Sequence, residues 1–522
     1  MLLPIALALT LSAADAADAP CAPGRAVALD GIGTPQDELL RAAELVGAAP
    51  PTPRVILRGG AHEETLCASG APLPWTLASV PPPGPDLRLR GVPVRLTSVF
   101  NSRYPSGADD GLLAAGRGVS GVLSGGIAVR WRFVSAALAP ELSASANEPF
   151  DTIGIGPGAP RYANPYYGDG IDLPQRFGSE PFSAWSLGQS YLRADVANVG
   201  LGLSTENLWF GPGVRNNLLM SNAAPGFPHV FVGTSRPADV WIGDAEAFVF
   251  WGRLSRSEEF ADRSRPLVSG LVVDLAPRFA PTLTLGLARV FVQKYELSAR
   301  TLLAGLQPFE KNALPGDNPD DNQLASVFAR WVFPASGFEV YGEWGREDHE
   351  WDLNDFLREP DHTQAYLLGL QKVWRTGPRW VRLQAELVHL QEQRPLANER
   401  GVPVWYTHGA NLGYTHEGQL LGAWVGPGAD AQTIAVDVFH GGGRIGGFVE
   451  RVRRNDAYYW AVVEPVARGQ HDVELTGGAR GLLLSRRVEL TWEAAAAYRW
   501  NRDFRWSEPN FRLGVSLAVP VP

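Results

Sequence analysis

From Pro93 onward the chain is cut into short segments in which apolar and polar residues alternate. In Val488 to Trp500 one parity holds Val488, Leu490, Trp492, Ala494, Ala496, Tyr498 and Trp500; the other holds Glu489, Thr491, Glu493, Ala495, Ala497 and Arg499. Phe338 to Trp344, Val381 to Leu387 and Thr433 to Val438 repeat the pattern. In a strand the two parities are opposite faces. One face is then continuously apolar, often ending in an aromatic ring, and the other carries carboxylates and guanidinia together. A β-sandwich buries the apolar face and repeats at shorter spacing. A membrane barrel turns that face to lipid and keeps the charges inside.

Connection lengths point the same way. Tight connections fall at Gly125-Gly126, Asp195 to Asn198, Arg236-Pro237, Pro277 to Pro281, Pro334 to Gly337, Arg375 to Pro378, Gly441 to Gly443 and Ser485-Arg486. Between them lie longer ones, from Asn101–Gly116 through Glu206–His229 to Asn501–Asn510, with Ala410 to Thr415 read as part of an outer excursion. Barrels have short periplasmic turns and long outer loops. The spacing predicts an all-β fold, a closed antiparallel transmembrane β-barrel of about eighteen strands over residues 91–522, with both termini periplasmic. The 57 Gly and 42 Pro suit such frequent turns, and the 17 Trp suit two membrane interfaces. A net charge of -9 without a basic cluster argues against a nucleic-acid partner.

Residues 1–19 read as a signal peptide: Leu2 to Ala13 is apolar, and small-x-small patterns follow at Ala14 to Ala16 and Ala17 to Ala19. No later run reaches the ~18 apolar residues of a membrane helix. Residues 20–90 read as a periplasmic helical segment with a Pro-rich linker. Thr34 to Gly47 predicts a helix with Thr34 as N-cap, Pro35 at N1 and Gly47 at C′. Val55 to Ala71 is a candidate for a second. Cys21 and Cys67 are the two cysteines. In an oxidising compartment they can pair, with a loop-entropy gain of roughly 3–4 kcal/mol.

The stretch Glu206 to His229, ENLWFGPGVRNNLLMSNAAPGFPH, fits neither helix nor strand, and falls between the fifth and sixth strands. It contains Trp209-Phe210-Gly211-Pro212-Gly213, Ser221-Asn222-Ala223-Ala224-Pro225 and Phe227-Pro228, flanked by Gly188-Gln189-Ser190 and Thr234-Ser235-Arg236-Pro237. These motifs resemble the signature of the capsule assembly Wzi family. The family's pattern commonly carries a second Trp where this chain has Phe210, so a ring is kept without the indole N–H. The resemblance implies an outer-membrane protein that helps hold exported capsular polysaccharide at the cell surface, lectin-like and without catalysis.

Amides and rings suit a polyhydroxylated ligand, and equally a loop that satisfies its own backbone. Glycan-binding candidates are Asn207, Trp209, Arg215, Asn216, Asn217 and Asn222, with Arg215 able to clamp a sugar carboxylate. Tyr162, Tyr166, Tyr167, Trp405 and Tyr406 form a second rank. The expected partners are capsular or other surface polysaccharide, outer-membrane lipid and other capsule-export components, with the barrel a monomer. No cofactor, metal centre or catalytic residue is expected: the nine His fall in no hydrolase frame, and His408, His416 and Glu417 match no metal-site spacing. A diffusion porin is the alternative, and an outer-membrane hydrolase a third reading.

Overall fold

The computed structural model describes residues 21–22, 34–51, 73–75, 77–78, 87–294, 321–347, 357, 362–390, 404–409, 411–485 and 488–519. Their centre is a closed antiparallel barrel of 18 strands. In chain order these are β1 Arg88–Asn101, β2 Gly118–Trp131, β3 Val134–Leu138 with Glu141–Ser145, β4 Phe182–Ser186 with Tyr191–Val196, β5 Val199–Ser204 and β6 His229–Thr234 with Ala238–Val240. There follow β7 Gly243–Arg253, β8 Leu267–Pro277, β9 Leu283–Gln293, β10 Asp321–Phe333, β11 Phe338–Glu347 and β12 Gln364–Thr376. The last six are β13 Arg379–His389, β14 Asp430–His440, β15 Gly443–Arg454, β16 Asp472–Leu484, β17 Glu489–Arg502 and β18 Trp506–Val519. The barrel closes where β18 pairs with β1, from Arg512 opposite Asn101 to Val519 opposite Val94. Closure leaves no edge with unpaired N–H and C=O groups, as a wall in lipid requires. No described helix is long and apolar enough to cross a membrane.

The period-two faces fall as expected. Leu96, Ile127, Leu142, Leu201, Val340, Ile434 and Phe511 point outward and are exposed, while Arg330, Glu339, Arg382 and Asp437 point inward and are buried. Three connections differ from expectation. Gly125 lies in a bulge, because Pro93 has no N–H to continue the β1–β2 ladder, and register is regained at Arg95 opposite Ser124. The turn itself is Arg132-Phe133. Pro237 likewise marks a bulge in β6, and that turn is Trp241-Ile242, with Trp241 at the rim. The connection expected over Asn501–Asn510 is a tight turn, since Arg502 pairs with Trp506 after a register shift at Arg499. Two of these corrections move a turn along the chain and the third shortens a connection, and none changes the strand count.

Helix α1, Pro35–Leu45, is capped by Thr34, whose hydroxyl accepts from the Asp37 N–H at 3.2 Å, and Gly47 follows with φ +69°. It sits inside the short-turn mouth. Leu39, Ala43 and Leu45 pack on the inward side chains Val332, Val373, Trp380 and Phe439. Its polar face meets the charged lumen: Arg41 Nε is 2.7 Å from Glu339, Glu44 is 2.7 Å from Arg330, and Glu38 is 3.3 Å from Arg382 and also pairs with Arg444. Burial alone raises the Glu38 carboxyl, but Arg444, Arg382 and Arg480 more than offset that and hold it below the ordinary carboxylate range.

The opposite mouth is filled by long connections. Leu208, Phe210, Leu218, Leu219 and Met220 of the β5–β6 loop pack with Trp405, Tyr406, Tyr414 and Leu421 of the β13–β14 loop and with Phe231, Phe248 and Phe250 of the wall. The only strand pairing within the described part of the β13–β14 excursion is a two-residue ladder, Thr415–His416 with Gln419–Leu420.

Candidate functional site

The β5–β6 loop descends into the lumen because the wall offers its backbone acceptors. The N–H groups of Val214, Arg215 and Asn216 all donate to the Glu386 carboxylate, at 2.8, 3.2 and 2.9 Å, and the Tyr341 hydroxyl donates to the same group at 2.9 Å. Three consecutive N–H groups around one carboxylate form an anion nest. The Leu218 N–H donates to Glu343 at 2.9 Å, and its carbonyl accepts from Tyr406 Oη at 2.7 Å. Pro212 and Gly213 end against α1, where Arg41 Nη2 donates to the Pro212 carbonyl at 2.8 Å.

This seating aims Arg215 into a cleft on the β15–β18 side of the lumen. Its floor is Thr476, Ala495 and Ala497; its sides are Phe448, Glu450, Glu474, Glu493, Asn510 and Arg512; its lid is Trp424 with Ser106, Gly107 and Ala108. Arg215 Nη2 lies 2.8 Å from Glu450, with its guanidinium 5.5 Å from the Phe448 ring centre. Arg512 is 3.3 Å from both Glu493 and Asp110. Arg454 lies over the Trp424 ring at 5.7 Å. A β-carbon at Gly107 would fall 1.4 Å from Asp110 Oδ2, so a larger residue there has to push that carboxyl aside. In the lid loop, burial together with Asp110, Glu386 and Glu450 pushes the Asp109 carboxyl up to about 8 despite Arg215; burial and Glu493 push Asp110 up to about 6 against Arg512.

Of the first-rank candidates from sequence, Arg215 alone lines this cleft. Asn207 donates to the Ala224 carbonyl at 2.7 Å and accepts from Gln189 at 2.8 Å, which ties two separate pieces of the motif together. Asn217 Oδ1 accepts from the Gly213 N–H at 2.9 Å, Asn216 hydrogen-bonds to Glu386, and both are buried. Trp209 is buried, and Asn222 is half-buried, its carbonyl accepting from the Gly111 N–H at 3.0 Å. Phe210 packs 5.8 Å from Phe250 and 6.2 Å from Phe248, within an apolar cluster that also holds Met220. In the second rank, Tyr162, Trp405 and Tyr406 are buried; Tyr166 donates to Asp503 at 3.0 Å and Tyr167 to Asn455 at 3.4 Å. Trp424, Phe448, Glu474 and Arg512 were not singled out by sequence. Strand parity places Glu493, Ala495 and Ala497 on the lumen face, but only the fold brings them opposite Trp424.

His416 is buried, and burial with Arg256 nearby pushes its imidazole down to about 3; Nδ1 accepts from the Ser255 N–H at 3.0 Å. No group of three His, Cys, Asp or Glu among the described residues is placed to hold a metal ion. The Cys21–Cys67 pairing and the candidate helix over Val55–Ala71 lie outside the described residues, as does the signal segment.

A family model described as capsule assembly protein Wzi matches residues 116–502. The chain belongs to the Wzi capsule assembly family. The matched span runs across the central loop and all of β2 to β17, leaving α1, β1 and β18 outside it. The structure of Escherichia coli Wzi, described as an outer-membrane, carbohydrate-binding β-barrel involved in group 1 capsule assembly, superposes at a TM-score of 0.62. That comparison covers 93% of this chain and 98% of the E. coli chain at 13% identity. Acinetobacter baumannii OccAB2 (12% identity, 82% and 98% covered, TM-score 0.42) and Pseudomonas aeruginosa OccK2 (12%, 84% and 98%, 0.42) are more distant in shape. No curated protein sequence matches the chain. Wzi-family membership and a barrel with a lipid-facing belt place the chain in the outer membrane.

Proposed function

We propose that this barrel binds exported capsular or other surface polysaccharide and retains it at the cell surface, acting by binding and without turnover. The observation that carries the reading is the cleft, where rings, carboxylates, guanidinia and an amide converge beneath the long-loop mouth. Such a mixture suits a polyhydroxylated ligand better than a lipid or a nucleic acid. Family membership and the description of the E. coli relative favour the same reading. In this reading residues 1–19 direct export, residues 20–90 lie on the periplasmic side with both termini, and the long loops face outward. Arg215 is the first-rank residue proposed to meet glycan. Asn207, Trp209, Asn216 and Asn217 serve by holding the loop that presents it. A single chain closes the barrel, which favours a monomer, with other capsule-export components as partners.

The test is deletion of the gene with staining of cell-bound and released capsule. The expected result is capsule made in normal amount but shed; normal retention overturns the proposal. The diffusion-porin alternative is disfavoured by α1 and the β5–β6 loop meeting inside the lumen. A stable, ohmic, nanosiemens pore in planar bilayers would restore it.

A further inference from the structure

We infer that the cleft selects a neutral, hydroxyl-rich sugar and turns uronic acids away. The inference rests on the polysaccharide-binding reading and adds the ligand's charge class.

The lining holds two guanidinia, Arg215 and Arg512, against three carboxylates, Glu450, Glu474 and Glu493. Both guanidinia are already engaged. Arg215 meets Glu450 through Nε at 3.1 Å and Nη2 at 2.8 Å, and Arg512 is shared between Glu493 and Asp110 at 3.3 Å each. A sugar carboxylate entering here must either displace a carboxylate from a partly buried pair or stand beside three like charges, and both are unfavourable. The nest of N–H groups that would suit an anion is filled by Glu386 of the barrel wall.

Hydroxyl groups meet the opposite situation. A carboxylate accepts from a hydroxyl in a short, charge-assisted bond. Glu474 stands 3.7 Å from Arg454, beyond hydrogen-bond length, and with the Tyr104 hydroxyl as its neighbour still has lone pairs to offer a second hydroxyl. Trp424 Nε1 and Arg512 Nε are buried donors with no hydrogen-bond partner among the described residues, and both belong to side chains that line the cleft. Unmet buried donors are unfavourable, and a sugar oxygen would satisfy them without bringing charge. Ala495 and Ala497 leave the floor open where larger side chains would fill it. Glu493 and Arg512 retain 29% and 21% exposure of their side chains, so the cleft is reached by solvent.

The experiment uses the full-length protein in detergent and the capsular polysaccharide released by the producing strain, supplemented by two defined probes of equal length: a neutral gluco-oligosaccharide and an oligogalacturonide. Expected is at least tenfold tighter binding of the neutral probe. Ala497→Leu, which fills the floor and leaves every ion pair in place, is expected to weaken it tenfold. Glu474→Gln with Glu493→Gln is expected to shift the preference toward the oligogalacturonide by tenfold or more. Tighter binding of the oligogalacturonide by the unaltered protein, or neutral binding indifferent to Ala497→Leu, overturns the inference while leaving polysaccharide binding intact. Binding of neither probe nor of the released polysaccharide overturns the binding reading itself.

Discussion

Arg41 on the helix in the short-turn mouth and Pro212 in the loop from the opposite mouth are joined by a hydrogen bond of 2.8 Å from guanidinium to carbonyl. The same guanidinium meets Glu339 of the wall at 2.7 Å and lies 4.8 Å from the Tyr341 ring centre. Helix, wall and loop therefore share one buried cation. Arg41→Ala is expected to lower stability by about 3 kcal/mol or more, the scale of breaking a buried pair. Arg41→Lys should recover part of this, because it keeps the charge but loses the fork. The midpoint of the heat-induced mobility shift of the folded barrel measures both, and an unchanged midpoint in Arg41→Ala contradicts the linkage.

Charge in the lumen is balanced by α1. Glu38 and Glu44 face Arg330, Arg382 and Arg444. Replacing both carboxylates by Gln leaves buried guanidinia under-compensated and loosens the helix. Bilayer recordings of the double variant should show added conductance with anion selectivity, read from the reversal potential in a salt gradient. Cation selectivity would be inconsistent with this charge assignment.

The lid of the cleft should respond to pH through Asp109. Its carboxyl is raised from an ordinary value near 3.8 to about 8 in the folded protein. The folded state therefore binds the proton more tightly than the unfolded one. The folded form loses stability as pH rises from about 4 to about 8. Asp109→Asn removes this term, so the gap between variant and wild type should widen in the variant's favour from pH 5 to pH 8. Equal melting curves at pH 8 would count against the lid geometry.

Trp209 and Asn216 are predicted to act on folding before they act on glycan. Trp209→Ala alone should cost about 3–5 kcal/mol as a buried aromatic truncation, and Asn216→Ala removes a buried side-chain amide that donates to Glu386 at 3.4 Å, leaving the backbone N–H on that carboxylate. The double variant is expected to yield much less folded barrel in the outer membrane. Full assembly with lost capsule retention would instead assign these residues to the ligand.

The lumen and lipid faces of β17 are legible in Val488–Trp500 because side-chain direction in a strand has period two, whatever the partners are. Family identity is legible because the β5–β6 motif consists of residues that bond one another, such as Gln189 with Asn207 across 18 positions. Turn positions are less so: Pro93 and Pro237 interrupt ladders without ending strands, and a prolyl bulge resembles a turn in sequence. The cleft is the least legible. Glu386 looks like any other lumen carboxylate until three N–H groups 170 to 172 residues away are seen to close on it. Asn216 and Asn217 suit sugar by composition, yet their hydrogen bonds stay within the protein.

Glu44 and Arg330 are separated by 286 positions and meet at 2.7 Å, both nearly inaccessible to water. Reversing the sign of Arg330 sets Glu44 against a like charge in the interior, whereas losing Glu44 leaves Arg330 with Glu339 at 2.7 Å as its partner. Across descendants of this sequence the constraint is therefore one-sided: position 44 has more freedom to drift than position 330. The short helix outside the matched family span is thus freer, at this contact, in what it can become than the wall that lies within that span.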